Sequence, residues 1–124
     1  MIDPSFFGIA MPLKKLPLET INGWSRNTLM QTLAIECLEI GDDFLVARMP
    51  VDARTHQPAG LLHGGASMAL IESIGSMASS LLLDLDREQP VGVEINANHV
   101  RAMTSGWVHG EARPLHIGRS SHVW

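Results

Sequence analysis

Residues 61–83 read LLHGGASMALIESIGSMASSLLL and predict the central element of the fold. From Gly64 to Leu83 the stretch has a single ionisable side chain, that of Glu72, among aliphatic, methionine, glycine, alanine and serine residues. A helix that is apolar or small all round is usually buried on every side. The stretch therefore predicts a central helix with a lone buried carboxylate, which carries a desolvation penalty unless it has a partner or a function.

A membrane span is the alternative interpretation, because about 20 residues of low polarity are long enough to cross a bilayer. Five serines, three glycines and the central glutamate lie within the same stretch and argue against a span. The pattern therefore favours a helix of a soluble protein.

The tripeptide His63-Gly64-Gly65 comes directly before this helix. Glycines allow close approach to the backbone, and the first N–H groups of a helix have no partner within it. Free donors at the positive end of a helix suit a developing oxyanion. Two structural alternatives stay open: the glycines form only a tight turn, and Glu72 pairs with an arginine in the core.

Composition limits the possible classes of protein. With 124 residues and 45% hydrophobic residues the chain predicts one domain, and its net charge of −4 gives no electrostatic case for nucleic-acid binding. The single cysteine, Cys37, excludes an internal disulfide. Residues 1–16 are expected to form an N-terminal arm. Their lysines follow the apolar part, the reverse of a secretory signal, so a cytoplasmic location is expected.

The remaining pattern predicts an α+β fold with an antiparallel sheet packed on the central helix. The expected elements are a short helix over 17–22, a hairpin of strands around the turn at 41–43, a loop over 52–60, a half-buried strand over 91–100, a strand from 107 that is interrupted near Pro114, and the start of another strand over 120–124. One such sheet covers one side of the helix only. We therefore expect a second copy on the other side, in a homodimer or larger assembly.

A carboxylate together with an oxyanion hole indicates acyl transfer to water. Glu72 is then the nucleophile or the general base. Ser76 shares its helix face at i+4 and could hold a water molecule or a carboxylate oxygen, or it could simply permit close helix packing. Gln57 lies in the preceding loop, where its amide could contact the substrate or remain solvated.

Other catalytic patterns are absent or weak. Ser67 lacks the flanking residues of a nucleophile elbow, and the six histidines show no HExxH spacing, so neither a serine hydrolase nor a metal site is indicated. Cys37 is expected to be a small core residue. Arg101, Arg113 and Arg119 form either a phosphate-binding patch with nearby histidines or ordinary surface charge.

Three segments carry a resemblance to a known family: QPAGLLHGGASMALIESIGSMAS, VGVEINANHVRA and PLHIGRSSHVW. From about Leu16 to Trp124 the chain resembles the hotdog-fold acyl-CoA thioesterases. Within them it is most similar to the small bacterial branch that contains 1,4-dihydroxy-2-naphthoyl-CoA hydrolase and the enterobactin-pathway proofreading thioesterase. The resemblance implies a curved antiparallel sheet wrapped around one long helix, in dimers or tetramers whose active sites span the dimer interface.

The resemblance also implies roles for individual residues. The N–H of Gly64 would polarise the thioester carbonyl, with His63 and Gln57 orienting the substrate or water. Glu72 of the partner subunit would act as the nucleophile or base, and Ser76 would assist it. His99 and Arg101 fall where such enzymes contact the coenzyme A portion or line the site. The resemblance implies no metal or organic cofactor.

The end of the sequence departs from the family pattern. Family members continue past His122-Val123-Trp124 with the rest of that strand and one more, so the domain over 17–124 is expected to be incomplete at its C-terminus and its sheet to have open edges. This departure keeps a non-catalytic acyl-CoA-binding module or an inactive fragment open as alternatives. A hotdog enoyl-CoA hydratase is a further alternative, although such hydratases usually rely on an Asp/His pair that this helix lacks.

Overall fold

The computed structural model describes residues 12–124. Most of the predicted arm therefore lies outside the described residues, but its last part packs on the domain. Leu13 is 2% exposed and belongs to the core. The N–H of Lys14 donates to the carbonyl of Leu81, 3.0 Å away, at the end of the central helix. The domain boundary at residue 16 stays a prediction.

Three helices and five strands follow one another along the described chain. They are α1 Leu18–Gly23, α2 Leu29–Thr32, β1 Glu36–Ile40, β2 Leu45–Pro50, α3 Gly64–Ser80, β3 Trp107–Ala112, β4 His116–Ile117 and β5 His122–Val123. None of the helices in residues 12–124 is long and apolar enough to cross a membrane. The short first helix, the hairpin β1–β2 and the central helix α3 lie where the sequence predicts them, whereas α2 was not predicted.

The main sheet is antiparallel and has the order β1-β2-β3. Along β2 the residues Leu45, Ala47 and Met49 are fully buried and alternate with partly exposed neighbours, as expected for a strand with one face on a core. A bulge shifts the pairing of β1 between Cys37 and Glu39. The buried face of this sheet packs on α3.

Helix α3 packs one side on the core, through Ala66, Leu70, Ile74, Met77 and Ala78. Ser79 is also buried, but it lies on the other side of the helix, where its Oγ accepts the indole N–H of Trp124. The close approach to β3 requires Gly110, since a Cβ at that position would lie 2.9 Å from Cδ1 of Ile74. On the other side Ile71 is 41% exposed and Glu72 is exposed. This agrees with the expectation that one sheet covers one side of the helix, and burial of the other side by a second copy stays a prediction.

Residues 91–100 do not form the predicted strand. They pair with no strand among residues 12–124, and three of their valines are largely in solvent, with Val91, Val93 and Val100 being 78, 93 and 92% exposed. The predicted half-buried strand is wrong for the isolated chain, because an alternating sequence supplies an apolar face but not the neighbouring backbone that a β-ladder needs.

Strands β4 and β5 form a separate hairpin after the break that was predicted near Pro114. The N–H of Leu115 donates to the carbonyl of Val123 and that of Gly118 to the carbonyl of Ser121, each over 2.8 Å. The hairpin reaches α3 through Trp124, which packs against the core cluster.

Candidate active site

The N-terminus of α3 presents a free backbone donor. His63 is the N-cap, and its Nδ1 accepts the N–H of Gly65 over 2.7 Å. The neutral imidazole therefore carries its hydrogen on Nε2, which points this donor away from the helix. The N–H of Gly64 donates to no group within residues 12–124. This arrangement leaves Gly64 available to a ligand at the positive end of a 17-residue helix.

Hydrogen bonds on both sides of the turn fix the position of this donor. The N–H of His63 donates to the carbonyl of Thr55, and the N–H of Leu62 to the carbonyl of Met103, each over 2.8 Å. Thr55 is 2% exposed, and its hydroxyl donates to the carbonyl of Pro50 at the end of β2, 2.7 Å away. The start of α3 is thereby tied to the main sheet.

Gln57 lies in this anchored loop and uses half of its side chain there. The side-chain Oε1 of Gln57 accepts the N–H of Ala59. The backbone N–H of Gln57 donates to the carbonyl of Leu61 over 2.8 Å. The amide NH₂ group remains as the part of Gln57 that can donate to a substrate or a water molecule.

His99 lies directly against the start of α3. A Cβ added to Gly64 would lie 3.0 Å from Nε2 of His99, so the imidazole packs over the glycine. Arg101 is exposed two residues later and forms no ion pair with another described residue. The structure thus brings His63, Gly64 and His99 together, with Arg101 close along the chain.

Glu72 lies in a second group of predicted residues, and it is exposed rather than buried. The exposed side of α3 carries the carboxylate in one chain, and its burial by a second copy stays a prediction. The carboxylate rests against the backbone of Gly92. A Cβ added to Gly92 would overlap Oε1 of Glu72 and lie 3.0 Å from its Cδ. Ser76 follows at i+4 and is partly buried. Gly92 was not among the predicted site residues, although a glycine inside a strand-like pattern is a known sign of close approach.

The two groups are separated along the helix. Gly64 and Glu72 are eight residues apart, which at 1.5 Å per residue is about 12 Å along the axis of α3. A carbonyl that accepts a hydrogen bond from Gly64 therefore lies beyond the reach of Glu72 in the same chain. We call the free N–H of Gly64 and the carboxylate of Glu72 the two half-sites of the candidate active site.

Comparison with known proteins identifies the family. The model of the thioesterase superfamily matches residues 59–124. The proofreading thioesterase EntH of Cronobacter turicensis is 52% identical over 111 residues, which cover 90% of this chain and 80% of the relative. The chain belongs to the thioesterase superfamily.

Solved structures agree with this assignment. A mutant of thioesterase PA1618 from Pseudomonas aeruginosa matches with a TM-score of 0.87 at 46% identity, covering 91% of this thioesterase and 81% of that chain. Thioesterase HI1161 from Haemophilus influenzae matches with a TM-score of 0.79 at 44% identity, covering 88% and 76% of the two chains. The predicted hotdog fold, with its antiparallel sheet and central helix, is confirmed.

The loop that leads to the half-site of Gly64 also contains a strong local ion pair. Nε and Nη2 of Arg54 donate to the carboxylate of Asp52, and the shortest of these contacts is 2.6 Å. The hydrogen bonds from the Arg54 side chain and from its N–H lower the pKa of Asp52 to about 2. This thioesterase thus begins the loop with a carboxylate that is ionised at neutral pH.

The other candidate groups do not join the site. Arg113 pairs with Glu111 over 2.7 Å and with Asp43 over 3.8 Å, which favours ordinary surface charge over a phosphate-binding role. Cys37 is 1% exposed, and burial raises the pKa of its thiol, which disfavours the thiolate that a nucleophile needs. Within residues 12–124 no three His, Cys, Asp or Glu side chains come together in a way that could hold a metal ion.

Proposed function

We propose that this thioesterase hydrolyses an acyl-CoA, with an aryl or medium-length acyl group, to the free acid and coenzyme A. The observation that carries the proposal is the pair of half-sites on α3. The free N–H of Gly64 and the exposed carboxylate of Glu72 are the two groups that acyl transfer to water requires, and a second copy of the chain would bring one of each together.

In the proposed reaction the thioester oxygen accepts the N–H of Gly64, and the helix end stabilises the negative charge that develops on it. Glu72 of a second copy takes a proton from water while the water oxygen bonds to the carbonyl carbon. Collapse of the tetrahedral intermediate breaks the C–S bond and releases the coenzyme A thiolate, which then takes up a proton. Ser76 and the NH₂ group of Gln57 orient the water or the substrate.

Glu72 could instead attack the carbonyl carbon itself and form a mixed anhydride that water then hydrolyses. A single turnover in ¹⁸O-labelled water separates the two routes. Label that enters the carboxylate of Glu72 indicates the anhydride, because general-base catalysis puts label only in the acid product.

The coenzyme A portion has candidate contacts beside the first half-site. His99 packs over Gly64, and Arg101 extends from the same segment with its charge unpaired by described residues. A guanidinium is well suited to bind a phosphate. We assign these two residues to the coenzyme, and an acyl-CoA substrate together with a single cysteine fits an enzyme of the cytoplasm.

The first test compares free-thiol release from benzoyl-CoA and a medium-chain acyl-CoA by the wild type and by Glu72→Gln. Loss of the base or nucleophile is expected to lower the rate at least about a hundredfold, or about 2.7 kcal/mol. A rate in Glu72→Gln that equals the rate of the wild type would contradict the role of Glu72. A tight complex with acyl-CoA that releases no thiol over hours would favour the binding-module alternative.

A second test removes the oxyanion donor alone. Gly64 is the first residue of α3, where proline is tolerated and lacks only the N–H. Gly64→Pro is expected to lose about 10²–10³-fold in kcat. The matched control is Gly64→Ala, which adds bulk toward His99 but keeps the N–H. Equal losses in the two variants would mean that space, rather than the donor, matters at this position.

Mixing two inactive variants tests the shared site. In a heterodimer of Glu72→Gln and Gly64→Pro chains, one site has both defects and the other has none. Random pairing is expected to restore about a quarter of the wild-type activity. A site built from one chain would leave the mixture as inactive as its components.

A further inference from the structure

Trp124 is held on the side of α3 that carries Glu72. Residues three, four and seven positions after Glu72 share its face of the helix, namely Gly75, Ser76 and Ser79. The indole lies against the first of them, since a Cβ added to Gly75 would be 3.8 Å from Cδ1 of Trp124. Its Nε1–H donates to Oγ of Ser79 over 2.8 Å.

A second hydrogen bond fixes the serine. Ser79 is 6% exposed, and its Oγ lies 2.9 Å from Nδ1 of His122. Because Oγ accepts the indole N–H, its own hydrogen is available to the imidazole nitrogen. Burial and the nearby His116 lower the pKa of His122, with Glu88 opposing them, which favours the neutral imidazole. The rings of His122 and Trp124 meet edge to face at 6.3 Å.

Glu72 has different neighbours toward the two ends of α3. Residues 92–99 pass from the carboxylate to Gly64 and so occupy the side toward the start of α3. Toward the end of the helix the floor consists of Gly75 and Ser76, which are small and partly exposed. The indole closes this direction about 5–10 Å along the axis from Glu72, which is room for one aromatic ring or a short chain.

We propose that Trp124 is the wall that ends the acyl groove and sets the longest acyl group the enzyme accepts. Ser79 is a positioning residue that acts through the indole N–H. The inference rests on the proposed function, because it places the thioester carbonyl beside Glu72. An indole face or edge also offers a flat apolar contact to an aryl group.

The test is the ratio of kcat/KM values for hexadecanoyl-CoA and benzoyl-CoA. Trp124→Ala is expected to raise this ratio at least about tenfold, because it opens the end of the groove. The control is Trp107→Ala, which removes an indole that stacks on Arg48 at the sheet surface and should leave the ratio unchanged. An unchanged ratio in Trp124→Ala overturns the inference. Absence of hydrolysis in the wild type would instead overturn the proposed function.

Milder variants guard against misfolding of Trp124→Ala and test the role of Ser79. Trp124→Phe keeps an aromatic wall without the N–H, and Ser79→Ala removes the acceptor. Each is expected to raise KM for benzoyl-CoA severalfold with kcat retained, and the double variant should be no worse than either single one, because both remove the same bond. Additive losses would overturn the positioning role of Ser79.

A measurement without catalysis checks the position of the indole. With Trp24→Phe and Trp107→Phe, Trp124 is the sole tryptophan of the chain. Binding of S-benzyl-CoA, a thioether that cannot be hydrolysed, is expected to shift or quench its emission, whereas coenzyme A alone should not. Equal responses to the two ligands would overturn the contact between the acyl side and Trp124.

Discussion

Glu72 has its position because residue 92 lacks a side chain. Gly92→Ala would place a methyl group in the volume of Oε1 and push the carboxylate away from this backbone. We expect kcat to fall at least about tenfold, or about 1.4 kcal/mol, with KM little changed, since a misplaced base affects the transition state more than binding. Steady-state kinetics check this prediction. Gly23→Ala, whose Cβ would meet nothing within 4 Å, is the control; a similar loss there would contradict the argument.

The ion pair of Asp52 and Arg54 makes a prediction about pH. The folded-state pKa of Asp52, about 2, lies below the usual value of about 3.9 in an unfolded chain. The carboxylate therefore stabilises the fold above that usual value, and its contribution is lost as the pH falls toward 2. In Arg54→Gln the pKa of Asp52 should return toward its usual range, as ¹³C NMR of the side-chain carboxyl would record. Arg26→Gln should leave the Asp52 titration unchanged, and an unchanged titration in Arg54→Gln would refute the assignment.

The sequence identifies the chemical groups of the site better than their arrangement. Glycines before an apolar helix and a lone glutamate within it are visible as residue types at fixed spacing, so Gly64 and Glu72 could be named as candidates. Gly92 and Trp124 could not, because their contacts depend on which helix position each one touches across the fold. The exposure of Glu72 in one chain could not be predicted either, because polarity along a helix does not reveal whether one chain or two provide its cover.

At the scale of elements, the glycines of α3 and β3 differ in what a methyl group would meet. At Gly75 an added Cβ makes ordinary contacts with Trp124, so Gly75→Ala is expected to raise the free energy of unfolding by about 0.5–1 kcal/mol through helix propensity. At Gly110 the Cβ would lie 2.9 Å from Ile74 and 3.3 Å from Leu70. Gly110→Ala should therefore lower the free energy of unfolding by about 1–3 kcal/mol. Urea unfolding measures both, and a destabilised Gly75→Ala or a neutral Gly110→Ala would count against this packing.

Elements that depend on residues close together in the sequence are easier to predict than elements that need distant partners. The hairpin β1–β2 and helix α3 have clear periodicity and turn residues, and the structure confirms them. Helix α2 has only four residues and depends on the Thr28 side chain, which accepts the N–H of Met30, and on Asn27 at a φ of 60°. No periodicity marks so short a helix. Residues 91–100 have periodicity but no partner strand within residues 12–124, and a sequence pattern cannot supply one.

At the scale of the whole molecule, the exposed valines of residues 91–100 predict self-association. Val93→Asp is expected to shift the protein toward monomers, because a charge on this apolar face disfavours its burial against a second copy. Sedimentation velocity of the wild type and the variant checks this. Leu29→Asp, at an apolar residue that is 62% exposed on α2, is the control for a general effect of added charge. A wild type that stays monomeric at all concentrations would contradict the shared site.

An assembly that covers the exposed side of α3 would also make stability depend on abundance. If the groups around Glu72 are covered only in an assembly, folding and association are one equilibrium, and mass action stabilises the native state as the protein becomes more concentrated. The melting temperature would then rise with protein concentration and settle at a plateau once the assembly is saturated. A cell that makes few copies would hold a more easily unfolded protein, so the number of molecules would control the amount of enzyme and also the fraction of it that is folded.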